Sequence, residues 1–281
     1  MNQMLVNSTD LIYQPEENPF QTLIIDVTHR CNMQCKNCYI PNREIPDMDK
    51  EWLYGILKRL PSRTRIRLIG AEPTMREDLP EIISNIRKLK HLPILVTNGL
   101  KLSNLSYLKK LKESGLRSVY LSFSGGFDES AYLAIDDMQC AKPKIRALEN
   151  LLAENMYITL GMILVRGINE LQVEKVFQYV QNVRQIYELH IRSVGKLGRY
   201  MQTESCTLDE MIQMVARVLG VSREWIYSQR ENVSYVDFKV GKLKIQLTEW
   251  PDFGSDRRGR LSPDGTIQRF FEHVIANEGG Y

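Results

Sequence analysis

Three cysteines, Cys31, Cys35 and Cys38, are spaced as C-x3-C-x2-C. Thiolates of this kind bind zinc or iron–sulfur clusters. A structural zinc site normally has four protein ligands, whereas a catalytic metal centre keeps one position open. His29 is the only local candidate for a fourth ligand. The spacing therefore favours a four-iron cluster in which one iron has no protein ligand. A structural or zinc site is the alternative.

The cysteines follow a segment that reads as a strand. Thr22–Val27 is short, apolar and rich in β-branched residues, so the motif begins where a strand ends. Catalytic groups of β/α barrels lie at this end of the strands. Along the chain, short apolar runs alternate with segments of helical period, which indicates β/α units around a parallel sheet.

Six such units are predicted, too few to close an eight-stranded barrel. The predicted strands are Thr22–Val27, Arg65–Ile69, Pro93–Thr97, Ser118–Ser124, Tyr157–Val165 and Tyr187–Val194. Five of the predicted helices are Asp49–Leu60, Leu79–Leu89, Ser103–Ser114, Glu170–Arg184 and Leu208–Leu219. The helix after the fourth strand is predicted to start only after Asp128–Lys142 and to end near Glu154.

The cysteine motif in this context resembles that of the radical S-adenosylmethionine (radical SAM) superfamily. The resemblance covers about Leu23–Val194. It implies an α/β fold, a partial (β/α)6 TIM-like barrel that is open on one side. It also implies two cofactors, a [4Fe–4S] cluster and SAM, with SAM on the open iron. An electron from the cluster would cleave SAM to methionine and a 5′-deoxyadenosyl radical, which abstracts hydrogen from a substrate.

A second motif follows the second predicted strand. Gly70, Ala71, Glu72 and Pro73 resemble the GGEP motif of the superfamily, which contacts the amino group of SAM. Glycine permits close approach of the backbone to a ligand, and a carboxylate can accept from an ammonium group. Ala71 replaces the second glycine and adds one methyl group. A plain strand-to-helix turn is the alternative interpretation.

Further SAM contacts are implied at the ends of later strands. Asn98 lies in a Thr-Asn-Gly strand end similar to that of the superfamily. Ser122 and Ser124 end the fourth strand, with serine where the superfamily often has aspartate at the second position, and they alternate to the same side. Either serine could instead be a turn residue.

The fifth and sixth strands supply three more candidates. Val165 ends an apolar strand similar to the one that flanks the adenine in the superfamily, and Arg166 could hold the carboxylate of SAM or lie at the surface. Arg192 lies on strand six, at an edge that the resemblance implies faces the cofactor. His190 of the same strand is expected to be packed or exposed.

Cys140 is the candidate catalytic residue of the loop after strand four. A thiol near a substrate radical can donate a hydrogen atom, as in epimerases of this superfamily. A free cysteine is also among the most buried residue types, so a packing role is the favoured alternative. Cys206 has the same ambiguity.

The C-terminal segment has a different pattern. Ser234–Lys239 and Lys242–Thr248 predict a hairpin, and helix is predicted at Thr266–Ile275. We expect the hairpin and the tail to cover the barrel opening. The chain is then divided into an N-terminal extension (residues 1–20), the barrel (21–220) and a substrate-covering segment (221–281). Basic and aromatic residues in this tail suit an anionic or aromatic substrate, a basic loop over the barrel mouth, or RNA: Trp250, Phe253, Arg257, Arg258, Arg260, Phe270 and Phe271.

Composition sets the remaining expectations. The 281 residues carry a net charge of +3, too small to argue for nucleic acid as a partner. There is no apolar run of signal-peptide or membrane-span length, and five cysteines do not form the even framework of a secreted domain, so a cytoplasmic location without a membrane partner is expected.

These features together predict a radical SAM enzyme that acts on a small molecule of biosynthesis by epimerisation, dehydrogenation or rearrangement. The resemblance implies an electron donor such as flavodoxin or ferredoxin. A peptide-modifying maturase is the alternative. It ranks second because the sequence lacks the C-terminal set of cysteines found in many such enzymes. A non-catalytic iron–sulfur or SAM-binding protein is the alternative from another class.

Overall fold

Ten strands form one sheet in the computed structural model, which describes residues 12–38, 40, 43–181, 183–195, 205–230, 233–250 and 258–269. The strands are β1 (Thr22–Thr28), β2 (Arg65–Gly70), β3 (Leu92–Thr97), β4 (Ser118–Ser122), β5 (Tyr157–Leu164), β6 (Ile186–Ser193), β7 (Tyr235–Val240), β8 (Leu243–Thr248), β9 (Arg258–Leu261) and β10 (Ile267–Arg269). Their order in the sheet is β10-β9-β1-β2-β3-β4-β5-β6-β8-β7.

Eight α-helices belong to the described part of the chain. They are α1 (Lys50–Arg59), α2 (Leu79–Lys88), α3 (Leu105–Glu113), α4 (Glu129–Asp136), α5 (Ala141–Ala153), α6 (Glu170–Val180), α7 (Leu208–Leu219) and α8 (Arg223–Ser228). Several begin at side-chain caps that satisfy free backbone N–H groups. The Asp49 carboxylate, for example, accepts from the Trp52 N–H at the start of α1.

The first six strands are parallel and pair in chain order, as expected for a partial (β/α)6 barrel. Alternate residues of each strand face the helices. Leu23, Ile25 and Val27 of β1 are fully buried in the main hydrophobic core. The residues between them face the barrel interior, because successive side chains of a strand point to opposite sides.

The C-terminal strands extend the sheet at both edges. β8 lies parallel to β6 and carries β7 antiparallel to it, so the predicted hairpin is confirmed. At the other edge β9 lies parallel to β1, and β10 pairs antiparallel with β9. In the described chain the sheet therefore ends at β7 and β10 and does not close.

The structure corrects three expectations. Helix at Thr266–Ile275 is wrong for its described part, because Ile267–Arg269 is strand β10 and Ile267 also bridges to Tyr13. The stretch predicted to delay the fourth helix contains α4, which the Asp128 carboxylate caps. Strand β9 was not predicted, because its four residues Arg-Gly-Arg-Leu carry little apolar signal.

The division of the chain at residues 20 and 220 stays a prediction. Phe253, Arg257, Phe270, Phe271 and most of the N-terminal extension lie outside the described residues. Within the described chain, no helix has both the length and the apolar character that crossing a membrane requires.

Candidate active site

Cys31, Cys35 and Cys38 lie in the loop after β1, and all three are partly exposed. The Met33 N–H donates to Cys31 Sγ at 3.4 Å. The Lys36 N–H donates to the Ile135 carbonyl of α4 at 3.0 Å, which ties the cysteine loop to the helix below it. The loop is therefore held at both of its ends by elements of the barrel.

Arg43 contacts the cysteine loop with its guanidinium group. Arg43 Nη2 donates to Cys38 Sγ at 3.0 Å. Burial lowers the pKa of Arg43, but its interactions with the Cys31, Cys38 and Cys35 thiols outweigh this effect and raise that pKa. The guanidinium thus lies against the cysteine loop and is hydrogen-bonded to its third thiol.

Three cysteines of one loop can bind a cluster or a single ion. A zinc ion requires its ligands to converge within about 2.3 Å of one point. In the described part of the chain, no group of three His, Cys, Asp or Glu side chains is placed to hold a metal ion. A cubane differs from a single ion in that each thiolate binds a different iron, so three cysteines leave one iron without a protein ligand.

The Gly70–Pro73 loop lies against the residues that precede Cys31. The Ala71 N–H donates to the Thr28 carbonyl at 2.9 Å, and the Glu72 N–H donates to the Arg30 carbonyl at 3.0 Å. Gly70 has a φ of +147°, and a Cβ there would lie 2.1 Å from the Thr28 oxygen. Only glycine permits this approach, so the first position of the motif is fixed by the fold as well as by the resemblance.

Glu72 is fully buried and accepts four hydrogen bonds. Its Oε1 accepts from Thr74 N at 3.1 Å, from Thr74 Oγ1 at 2.6 Å and from Thr97 Oγ1 at 2.7 Å. Its Oε2 accepts from Asn98 N at 2.7 Å. The carboxylate therefore joins the ends of β2 and β3. Contact of Glu72 with the SAM amino group stays a prediction.

Asn98 lies beside the cysteine loop. Its Nδ2 donates to Asn32 Oδ1 at 2.8 Å and is 4.0 Å from Cys31 Sγ. Its Oδ1 accepts from Leu100 N at 3.0 Å. The amide thus holds the end of β3 next to the first cysteine, where a molecule bound to an open iron would lie.

The two serines at the end of β4 have different surroundings. Ser124 Oγ accepts from Ile163 N at 3.0 Å, and this buried hydroxyl joins the ends of β4 and β5. Ser122 is partly exposed, and its carbonyl accepts from Lys144 Nζ at 3.2 Å. Their contact with SAM stays a prediction.

The three candidates from β5 and β6 do not come together. Val165 is fully buried against Ile135 and Val194. Arg166 forms an exposed ion pair with Glu210 of α7 at 2.8 Å, which directs its guanidinium to the barrel exterior. Arg192 lies 5.9 Å from the Trp250 ring centroid. Of the three, only Arg192 belongs to the set of side chains that face the barrel interior.

The interior of the barrel contains a group of polar residues of which the sequence analysis named only His190, and His190 is packed there. The Tyr120 hydroxyl is 3.2 Å from His190 Nδ1, and His190 Nε2 is 3.0 Å from Thr248 Oγ1. The Arg67 guanidinium lies 4.9 Å from the Tyr120 ring centroid. The available signal was the alternation of polar residues at inward positions of β2, β4 and β6.

These polar residues border a cavity of about 790 Å³ at the end of the barrel where its strands begin. Six cationic side chains line it against one carboxylate, that of Glu188, and the cations are Arg65, Arg67, Arg87, Arg117, Lys244 and Arg258. Burial and Arg258 lower the pKa of Arg67 to about 10. Burial and the nearby cations also lower the pKa of His190, so its imidazole is neutral at neutral pH.

The comparison with protein families decides what this site is. The model of the radical SAM superfamily matches residues 25–180. The chain belongs to the radical SAM superfamily. It is therefore an enzyme, and the two cofactors expected from the sequence, a [4Fe–4S] cluster and SAM, are those of this superfamily.

Similar proteins include two kinds of named enzymes. A 7,8-dihydro-6-hydroxymethylpterin dimethyltransferase of Methanocaldococcus jannaschii is 35% identical over 62% of this chain and 36% of its own length. A GTP 3′,8-cyclase of Staphylococcus saprophyticus is 24% identical over 94% of this chain and 81% of its own length. The chain thus spans about a third of the first relative and most of the second.

Solved structures confirm the predicted fold. Streptococcus suis SuiB bound to its precursor peptide SuiA superposes with a TM-score of 0.68 at 14% identity, over 92% of this chain and 61% of that one. anSMEcpe with bound AdoMet and a peptide gives a TM-score of 0.55 at 19% identity, over 74% of this chain and 60% of that one. At these identities the likeness concerns the fold alone.

The residues present fit the superfamily's cofactors. Three thiols share one loop, and Asn98 and the Gly70–Pro73 loop border the same loop. Cys31, Cys35 and Cys38 would hold the cluster. Contact of the backbone of residues 70–73 and of the Asn98 amide with SAM stays a prediction.

Cys140 is fully buried at the start of α5, against Met33 and Tyr132 and next to Cys31 and Cys35. Burial raises the pKa of this thiol to about 11, so it is protonated at neutral pH. The placement suits packing beneath the cluster loop, and hydrogen-atom donation stays a prediction.

The Cys140→Ala variant separates the two roles. If the thiol donates hydrogen to a substrate radical, product formation is expected to be lost while 5′-deoxyadenosine is still formed. If it only fills space, product formation is expected to persist, with a loss of stability of about 1 kcal/mol for the small cavity. Quantifying 5′-deoxyadenosine and product in the same reaction decides between them.

Proposed function

We propose that this radical SAM enzyme abstracts hydrogen from a small molecule whose phosphate groups bind in the basic cavity of the barrel. When bound, the cluster and SAM supply the 5′-deoxyadenosyl radical. The residues of the chain bind and orient the substrate and exclude water from the barrel interior. The observation that carries the proposal is the excess of six cations over one carboxylate among the described residues that line the cavity.

Two arginines of the cavity have few partners among the described residues, whereas Lys244 pairs with Asp237 at 2.6 Å. The Nε atom of Arg67 is buried and has no hydrogen-bond partner. Arg258 is partly exposed, and its Nη2 donates to Gln246 Oε1 at 3.4 Å. Burying unpaired charge is costly, and an anionic ligand would offset that cost. Arginine is suited to phosphate because its planar fork can form paired hydrogen bonds.

The named relatives support a small heterocyclic substrate. By their names, the GTP cyclases act on a nucleotide that carries a triphosphate, and the dimethyltransferase acts on a pterin. The GTP cyclase match extends over nearly the whole chain, including the strands that carry Arg67, Arg258 and Lys244. A purine nucleotide therefore fits both the cavity charge and the relatives.

Arg67→Met tests the role of the cavity. We expect GTP, used as the probe, to bind the wild-type protein and to bind the variant roughly 10- to 100-fold more weakly, because one charge-assisted hydrogen bond contributes about 1.5–3 kcal/mol. The variant itself is expected to be as stable as the wild type or more so, since methionine removes an unpaired buried charge. Equilibrium dialysis of radiolabelled GTP measures the affinities.

Arg146→Met is the matched control, because Arg146 is exposed and pairs only with Glu149 on the surface of α5. It should leave GTP affinity unchanged. Wild-type protein that binds neither GTP nor inorganic triphosphate would contradict the proposal, as would equal affinities for the wild type and Arg67→Met.

Turnover tests the proposed reaction class. After anaerobic reconstitution and reduction, the enzyme is expected to form 5′-deoxyadenosine, and with deuterated substrate the deuterium should appear in that product. A small redox protein such as flavodoxin or ferredoxin is the proposed electron donor. Persistent absence of 5′-deoxyadenosine from fully reconstituted protein would instead support a non-catalytic SAM-binding protein.

A further inference from the structure

A buried ion pair lies beneath the cysteine loop. Lys144 of α5 is 1% exposed and Asp136 of α4 is 6% exposed. Lys144 Nζ is 3.1 Å from Asp136 Oδ2. The ammonium also donates to the Ser122 carbonyl at 3.2 Å and lies 4.9 Å from the Tyr132 ring centroid. Two charges are seldom buried to this degree, because removing them from water costs several kcal/mol per ion.

The pair lies next to the second cysteine. Lys36, the residue after Cys35, forms an ion pair with Asp137, the residue after Asp136, at 3.6 Å. The Lys36 N–H donates to the Ile135 carbonyl, one residue before Asp136. Tyr132 and Cys140 pack against Cys31 and Cys35 in the same small cluster.

We propose that the Lys144–Asp136 pair sets the reduction potential of the [4Fe–4S] cluster, with Lys144 raising the potential and Asp136 lowering it. This inference rests on the cluster and is independent of the proposed substrate. The two residues are positioning residues that act on the cluster through Cys35 and through the electrostatic field in the buried loop.

The signs follow from electrostatics. Reduction brings one electron from an external one-electron donor to the cluster, breaks no bond and makes the site more negative by one charge. A buried cation favours that added charge and a buried anion opposes it. Because Lys144 and Asp136 are themselves buried, their charges act through a lower dielectric than surface charges do. Net charge and neighbouring hydrogen bonds are established determinants of cluster potentials.

The geometry also explains why the carboxylate requires a partner here. Asp136 lies beside a thiolate when the cluster is bound, and two adjacent negative charges repel. Lys144 offsets this repulsion from within the same buried space. Without Lys144, only the more distant charge of Arg43, which donates to Cys38, would remain among the described cations to offset the thiolates and the Asp136 carboxylate.

A redox titration tests the proposal. Wild type, Lys144→Met and Asp136→Asn are reconstituted anaerobically, reduced in steps with dithionite, and followed by the electron paramagnetic resonance signal of the reduced cluster. SAM and substrate are left out. We expect the midpoint potential to fall in Lys144→Met and to rise in Asp136→Asn. The double variant Lys144→Met/Asp136→Asn should lie between the two single variants.

Tyr132→Phe is the control, because it keeps the ring beside Lys144 and changes no charge. Its midpoint potential should match that of the wild type. A purely structural tie between α4 and α5 would lower the unfolding temperature of both single variants without moving their potentials in opposite directions.

Equal potentials in all variants, or shifts of the same sign in both single variants, would overturn the proposal. If Lys144→Met does not assemble a cluster, the isosteric Asp136→Asn is the deciding variant. A midpoint potential of Asp136→Asn equal to or below that of the wild type would refute the role assigned to Asp136. Failure of GTP binding would leave these potentials unaffected, so the two proposals fail separately.

Discussion

Replacing Cys35 with alanine is expected to abolish SAM cleavage, reducing 5′-deoxyadenosine to the background of the assay. The physical reason is that three thiolates are the complete set of protein ligands that the loop offers to the cluster. Removing one leaves two irons without a protein ligand, and the cluster is expected to be lost. Iron and sulfide content after anaerobic reconstitution, measured together with 5′-deoxyadenosine, tests the prediction.

Cys206→Ala is the matched control. Cys206 is buried in the main hydrophobic core, away from the cluster loop, and its loss removes only a small apolar side chain. This variant should retain the iron content and the SAM cleavage of the wild type. Full iron content and activity in Cys35→Ala would refute the assignment of the cluster ligands.

The second large effect is expected for Gly70→Ala. The backbone there has a φ of +147°, and the new Cβ would lie 2.1 Å from the Thr28 carbonyl oxygen. Backbone strain of about 1–3 kcal/mol and a steric clash of similar size should together lower the free energy of unfolding by about 2–6 kcal/mol. Relief of the clash would also move the Gly70–Pro73 loop away from Cys31 and weaken SAM binding. Denaturant unfolding and SAM binding measure the two effects.

Gly55→Ala provides the control for this substitution. Gly55 lies within α1, and a Cβ there meets nothing within 4 Å. The same chemical change should therefore stabilise the protein by about 0.5–1 kcal/mol, because alanine loses less backbone entropy than glycine in a helix. If Gly70→Ala were as stable as Gly55→Ala, the close approach of the loop to β1 would not exist in solution.

Much of the fold was predictable because its signals are local. α1, β2 and α7 differ from their predicted bounds by no more than one residue at either end. Each consists of an apolar pattern with a matching period, and α7 begins at a capping box formed by Thr207 and Glu210. β9 escaped prediction because its stability comes from pairing with β1, more than 200 residues earlier.

Among the candidate site residues, the sequence was most informative where spacing alone carries the chemistry. The three cysteines lie in one loop, and the Gly70–Pro73 turn lies against it through hydrogen bonds to Thr28 and Arg30. Arg166 shows the opposite case, because its guanidinium pairs with Glu210, a partner that becomes a neighbour only after folding.

The sequence by itself determined the superfamily, its cofactors and the alternation of strands and helices, because motif spacing and hydrophobic period are properties of neighbouring residues. Only the tertiary structure decided that Arg67, Lys244 and Arg258 line one cavity, and that Lys144 pairs with Asp136 under the cluster loop. Charge and burial in a barrel interior are set by residues from distant strands, and no local pattern specifies which of them meet.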